Sequence, residues 1–331
     1  MTAAVAAVDA VPLFAPVDIG IRAVSKAALY IVIASGLSLI FGLMGVLNFA
    51  HGSLTMIGAY LGGAIMVAAV SSGTSGIARF ALFFVAVAAV FAVLTAFGAG
   101  VELALIRPIY DREPLFQILL TFGLVLVLDE AARIVVTLAG LQPQTTWQDA
   151  VGTAPAFFAR RYEILGVNTR WALFAFEALV GLLLVVGVFL FLNRTRYGLY
   201  IRAGSEDPEM TQALGIDIRR AFTVVFGVGA GLAGMAGVLL MWDPRFGATV
   251  PLSVETLLIA FIVVIIGGLG SFKGTVVAGM LVGLVDALMS WLFINVVDFP
   301  GLPELVLFAV LVTVLIVRPT GLFGVEEVGG H

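Results

Sequence analysis

Residues 27–52 read AALYIVIASGLSLIFGLMGVLNFAHG. The stretch opens as an unbroken apolar run and then, from Phe41 on, carries Gly42, Gly45, Asn48, His51 and Gly52 in quick succession. An unpaired polar group in hydrocarbon costs several kcal/mol, so such groups are normally turned toward protein or a watery cavity. The pattern predicts a membrane helix that is broken or re-entrant near 42–52, in a chain that carries something across a bilayer.

The composition extends that reading to the whole chain. Hydrophobic residues fill 61% of the 331 positions and charged residues 11%, with a mean hydropathy of +1.15. That leaves too little polar surface to coat a water-soluble globule. A helix needs roughly 20 apolar residues to cross the ~30 Å hydrocarbon core. Suitable runs recur near 27–47, 50–70, 80–105, 115–139, 171–192, 222–241, 254–269, 275–294 and 302–318. Transmembrane strands would instead alternate polar and apolar residues. The chain is therefore expected to be an all-α polytopic membrane protein of about nine (8–10) spans, in a single transmembrane domain over 1–331. Residues 1–26 are expected to form an N-terminal extracytoplasmic segment. The seventh and eighth runs are joined by Gly267-Gly268-Leu269-Gly270-Ser271-Phe272-Lys273-Gly274, the other expected site of a broken or re-entrant helix.

No cysteine is present, which excludes a disulfide framework, a thiol nucleophile and a cysteine metal site. The only histidines are His51 and His331, so neither a metal nor another cofactor is expected. The N-terminus lacks a basic leader region and contains Asp9 and Asp18, so the first span is expected to be a retained anchor. The densest basic loop, 193–220, carries Arg194, Arg196, Arg202, Arg219 and Arg220, and the positive-inside rule places it in the cytoplasm. Alternation then puts the N-terminus outside and the C-terminus inside.

Within that loop, Ser205-Glu206-Asp207-Pro208-Glu209-Met210-Thr211-Gln212-Ala213-Leu214-Gly215-Ile216 reads as one short helix. Ser205 suits its N-cap, Pro208 its first turn, and Gly215 followed by Ile216 a left-handed C-terminal cap. Met210, Ala213 and Leu214 share one face, which either docks into a partner's groove or lies on the membrane surface.

The intramembrane polar residues are the functional candidates. Asn48 and His51, three apart beside glycine breaks, line a path or gate, or tie spans together by hydrogen bonds. Asp129 and Arg133, four apart, are placed to neutralise one another, while Asp286 and Glu177 have no obvious local partner. The series Gly227, Gly229, Gly231, Gly234 and Gly237 predicts tight helix packing. Gly42, Gly45, Gly267, Gly268 and Gly270 are instead candidate points where spans break and move. Nothing in the set is a catalytic constellation.

Three blocks, Gly36 to Gly52, Arg196-Tyr197-Gly198 leading into the loop helix, and Ile266-Gly267-Gly268-Leu269-Gly270-Ser271, together resemble the branched-chain amino acid permease family of ATP-driven importers. The resemblance implies a non-enzymatic transport subunit of a bacterial inner membrane. It implies as partners a second permease, two cytoplasmic ATPases and an extracytoplasmic binding protein, with no nucleic acid involved. Ser205, Glu206, Asp207, Met210, Ala213, Leu214 and Gly215 would then form the ATPase-coupling helix. The chain has no Gly-x-x-x-x-Gly-Lys-[Ser/Thr] loop, so energy must come from elsewhere. A urea or short-chain amide permease of the same family, and a self-sufficient channel or secondary carrier, are the competing readings.

Overall fold

The computed structural model describes residues 15–110, 112–140, 152–206, 208–243, 245–297, 299 and 303–324. The first helix, α1 (Ala15–Met44), has 30 residues. At 1.5 Å per residue it is about 45 Å long, enough to cross the hydrocarbon and both headgroup layers. Residues 15–26, expected outside the first span, are therefore its opening turns, with Arg22 bonded to Asp18 one turn back at 2.8 Å.

Then come α2 (His51–Ala69) and α3 (Gly76–Val101), which runs on through a π turn (Glu102–Ile106) and a 3-10 turn (Arg107–Ile109). Next are α4 (Pro114–Leu138), the single turn α5 (Ala156–Ala159) and a hairpin of β1 (Tyr162–Ile164) with β2 (Val167–Thr169). The remaining elements are α6 (Trp171–Arg194), α7 (Arg196–Glu206), α8 (Pro208–Ala213), α9 (Ile218–Leu240), α10 (Leu252–Gly267), α11 (Phe272–Asn295) and α12 (Pro303–Val317). Side-chain caps start three of the long helices: Ser75 on α3, Asp217 on α9 and Ser271 on α11 each accept from the backbone N–H three residues on.

Among the described residues six helices, α1, α2, α3 with its extension, α6, α9 and α11, are long and apolar enough to cross a membrane. Together with α4, α10 and α12 they account for the nine apolar runs, and the all-α polytopic class stands. The runs at 254–269 and 302–318 form shorter helices than an independent span needs, because α10 has 16 residues and α12 has 15, extending only about 24 and 22 Å. Pro251 precedes α10 and Gly268, at φ +98°, ends it. The two-stranded hairpin was not expected. It turns through Leu165 and Gly166, both at positive φ, and pairs Ile164 with Val167.

The loop helix also differs. Residues 196–213 form two helices, so Ser205 lies inside α7 and is not an N-cap, and Pro208, which lacks an N–H, opens α8. Asp207 lies outside the described residues. The expected C-terminal cap is present: Gly215 has φ +82° and donates to the Gln212 carbonyl, and Ile216 donates to the Thr211 carbonyl.

The bundle is organised around α1 and α9. In its most apolar stretch α1 is 83% buried by the rest of the chain, whereas α3 is only 22% buried and turns most of its surface outward. Glycines set the close approaches. Gly227, Gly231 and Gly234 of α9 meet α3, Gly229 meets Gly36 and Ile40 of α1, and Gly237 meets the Thr55 carbonyl of α2. On the other side, Gly279 and Gly283 of α11 lie on Ile31 and Ala27 of α1. Without a hydrophobic drive between helices in lipid, such contacts supply the dispersion energy of packing. Phe83 stacks on Trp242 at 4.1 Å, and Phe80, Phe158 and Phe176 surround the pair, closing the end of the bundle under α5.

Candidate functional site

The two glycine segments singled out by sequence meet in space. Gly42 of α1 lies against Gly270, where an added Cβ would stand 3.0 Å from the Gly270 carbonyl oxygen. Gly267 packs on Gly274 across the α10–α11 turn, and Gly268 lies against Gly324 and Gly321. Gly45 (φ +64°) ends α1, its N–H donating to the Phe41 carbonyl at 2.9 Å.

Asn48 then accepts from the Ala50 N–H at 3.1 Å in the turn that leads into α2, whose own N-cap, Ala50, has no side-chain cap bond. His51 follows, its Nε2 2.8 Å from the Ile33 carbonyl of α1. Both side chains are wholly buried at the α1–α2 junction, and Asn48 Nδ2 and His51 Nδ1 have no hydrogen-bond partner. In this conformation neither lines an open cavity, and His51 ties α2 to α1.

Asp129 does not pair with Arg133. It accepts from Ser53 of α2 and Ser253 of α10, both at 2.6 Å, while Arg133 turns outward to Glu130 at 3.5 Å. The face of α4 that carries Asp129 also carries Thr121, whose hydroxyl reaches the Leu47 carbonyl in the α1–α2 break at 3.2 Å.

The other two intramembrane acids find partners on distant segments. Asp286 of α11 holds Lys26 of α1 at 2.7 Å and accepts from Tyr30 of α1 and from Ser290. Glu177 of α6 accepts from Ser25 of α1 and pairs with Arg245 at 2.9 Å. Arg245, in the connection between α9 and α10, is also clamped by Asp243 at 2.6 Å. Lys26, Tyr30, Ser25, Asp243 and Arg245 were not singled out by sequence. The signal was that Asp286 and Glu177 lack a cation three or four residues away, so their neutralising partners had to lie elsewhere in the chain.

These two networks flank a cavity of about 400 Å³ between α1, α10, α11 and α12. Its polar lining is Lys26, Tyr30, Arg245, Glu255, Asp286 and Ser290, and the rest of the wall is aliphatic or aromatic.

At the opposite end of α3, the π turn aims Glu102 into the protein. Arg107 grips it at 3.0 and 3.1 Å, and Tyr110 and Thr223 donate to it at 2.6 and 2.8 Å. Burial and the bond to Glu102 hold the Tyr110 hydroxyl above the ordinary phenol range. Beyond this cluster, Met210, Ala213 and Leu214 are exposed on α8 and its cap.

Long apolar helices packed through glycines, with buried charges neutralised between distant segments, define a multi-pass membrane protein. Its family model, branched-chain amino acid transport system / permease component, matches residues 21–315, and the chain belongs to that family. It is 30% identical to the high-affinity branched-chain amino acid transport system permease protein LivH of Salmonella typhimurium, over 92% of this chain and 94% of that one. It is 29% identical to the corresponding BraD protein of Pseudomonas aeruginosa, over 90% and 92%. A shorter match, 31% identical over 125 residues, joins it to the fructose import permease protein FrcC of Rhizobium meliloti, over 37% of this chain and 34% of that one. No solved structure is significantly similar.

Proposed function

We propose that this chain is the membrane-spanning permease subunit of an ATP-driven importer for branched-chain or related hydrophobic amino acids. The family match over residues 21–315 carries the reading. Residues 1–331 act as one permease domain in the inner membrane, N-terminus outside and C-terminus in the cytoplasm. A second permease, identical or different, completes the channel, two cytoplasmic ATPases drive it, and an extracytoplasmic binding protein delivers substrate.

The segment 193–220 is the ATPase-coupling loop, with α8 and the Gly215 cap as its contact surface. The exposure of Met210 and Leu214, at 58% and 73%, supports this, since large apolar side chains side by side at a rigid capped turn suit a partner's groove. Asn48 and His51, with Gly42, Gly45, Gly267, Gly268 and Gly270, form the junction at which α1, α2, α10 and α11 change their relative positions. Asp129 and Asp286 report that movement through their partners on other helices.

Purification of the chain from its native membrane tests the assignment. ATPase subunits should co-purify and hydrolyse ATP, and substitutions at Glu206, Leu214 or Gly215 should release them. Uptake should follow ATP, not an ion gradient, and excess leucine should compete with it where urea does not. A chain that purifies alone and transports on an ion gradient is a secondary carrier, and the importer reading is then wrong.

A further inference from the structure

We propose that the cavity between α1, α10, α11 and α12 is a binding site for a free amino acid with an aliphatic side chain. In it Arg245 receives the α-carboxylate and Asp286 receives the α-ammonium. The inference rests on the importer reading above and specifies which part of this chain meets the substrate.

Three observations carry it. First, the lining carries both signs, with two cations (Lys26, Arg245) and two carboxylates (Glu255, Asp286) on one cavity, Lys26 being paired with Asp286 and Arg245 backed by Glu177 and Asp243. A net anion or cation would meet charges of its own sign beside the opposite one, and an uncharged amide or sugar would make use of neither sign. A zwitterion matches both.

Second, Arg245 and Asp286 are held in place from behind and keep capacity toward the cavity. The Nε and Nη2 groups of Arg245 are engaged by Asp243, Glu177 and Ser25, while Nη1 takes part in none of those bonds. Asp286 receives Lys26, Tyr30 and Ser290, against about four lone-pair positions on a carboxylate. Glu177 and Asp243 are each 1% exposed, so the guanidinium is fixed before a ligand arrives.

Third, the remaining wall includes Leu258, Ile259, Ile262, Ile294, Leu307 and Phe308, a surface for a branched hydrocarbon. The volume of about 400 Å³ is that of a small-molecule pocket. A second cavity, about 390 Å³ between α1, α3, α6 and α9, is lined by apolar residues alone and offers a zwitterion no counter-charge.

The test is equilibrium binding of tritiated leucine to the purified permease–ATPase complex in nanodiscs, with the binding protein omitted so that it does not do the selecting. Leucine should bind and be displaced by valine but not by urea or fructose. Ile259→Trp, which fills the cavity, should abolish binding. Leu258→Ala should shift the relative potency of phenylalanine and leucine as competitors by about tenfold toward phenylalanine, since a methylene in an apolar pocket is worth roughly 10–200-fold. Asp286→Asn should weaken leucine at least tenfold while weakening its 2-hydroxy-acid analogue, which lacks the ammonium, much less. Co-elution with the ATPases on gel filtration establishes that each variant is assembled. The competition ratios are internal to each variant and do not depend on yield.

Leucine binding unchanged by Ile259→Trp and Leu258→Ala would overturn the site. So would absence of binding to a complex that still imports leucine when the binding protein is restored, and in both cases the importer reading survives. A complete system that imports no amino acid overturns both.

Discussion

Asp129 gives the sharpest test of how the spans are held. Its carboxylate takes one hydrogen bond from Ser53 of α2 and one from Ser253 of α10, each at 2.6 Å. The same place has no slack, because a methyl group on Gly52 would strike the Ser253 carbonyl. In membranes, interhelical hydrogen bonds measured by double-mutant cycles average about 0.6 kcal/mol and reach about 1.7. Charge assistance and short geometry place these two in the upper half of that range, so Asp129→Ala should cost about 2–3 kcal/mol.

Ser53→Ala and Ser253→Ala should each cost about 1 kcal/mol alone, and each should show a coupling of about that size with Asp129→Ala. Asp129→Asn, which can accept from one serine and donate to the other, should lose less than half as much as Asp129→Ala. Arg133→Ala should be neutral, since its pairing with Glu130 is between side chains more than half exposed. The assay is reversible unfolding in mixed micelles, with the full set of single and double variants. Additive costs for the serine and aspartate changes, within about 0.4 kcal/mol, or a large loss in Arg133→Ala, would refute the knot and restore local pairing on α4.

Two further outcomes follow from the packing and the buried charges. A Cβ at Gly283 would come within 2.5–2.6 Å of the Ala27 backbone, so Gly283→Ala should destabilise by about 1–3 kcal/mol by overpacking, whereas Gly123→Ala, with nothing within 4 Å, should be neutral or stabilising by up to ~1 kcal/mol; equal effects in the same unfolding assay would dismiss glycine contacts as the organising force. Lys26→Met removes the ion pair from Asp286 and should destabilise by about 3–5 kcal/mol. The double variant Lys26→Met with Asp286→Asn should recover at least half of that loss, and a double variant no better than the single would show that the charge was not what mattered.

The apolar runs were legible because hydrophobicity is a sum over some twenty neighbouring residues, and each of them carries a helix in the structure. Helix ends were less legible. The charged turns of α1, with Asp18, Arg22 and Lys26, read as a flanking segment because composition averages cannot see that Arg22 and Asp18 neutralise each other one turn apart. Lys26 is satisfied from another helix altogether. Ser205 looked like a cap because Ser followed by acids and Pro is a start signal, but Pro208 alone provided the start and α7 had already run through Ser205. At Gly45, Gly268 and Gly270, all at positive φ, the residue type was enough to mark a break, whereas α1 runs straight through Gly42 to Met44 and Gly267 is the last residue of α10. Residue type did not reveal that Gly42 and Gly270 touch, since that is a pairing between elements more than two hundred residues apart.

The same limit explains the buried acids, and there it has an energetic basis. A charge inside the bilayer costs several kcal/mol unless it is paired, so each such residue guarantees a partner without saying where. Sequence supplies only the local option. For Asp129 that option, Arg133, exists and is not used, because residues four apart share a face only roughly and the helix turns Asp129 inward to two serines while Arg133 points out. For Asp286 and Glu177 no local option exists, and that absence was the informative observation. Their partners converge from α1 and from the α9–α10 connection. A charge pair that bridges two spans can be broken only by moving one span or by offering each member a substitute ion. An amino acid carries both substitutes on one carbon atom, so if the cavity binds one as proposed, occupancy would loosen the contacts around Lys26, Asp286 and Arg245 that join α1, α11 and the α9–α10 connection.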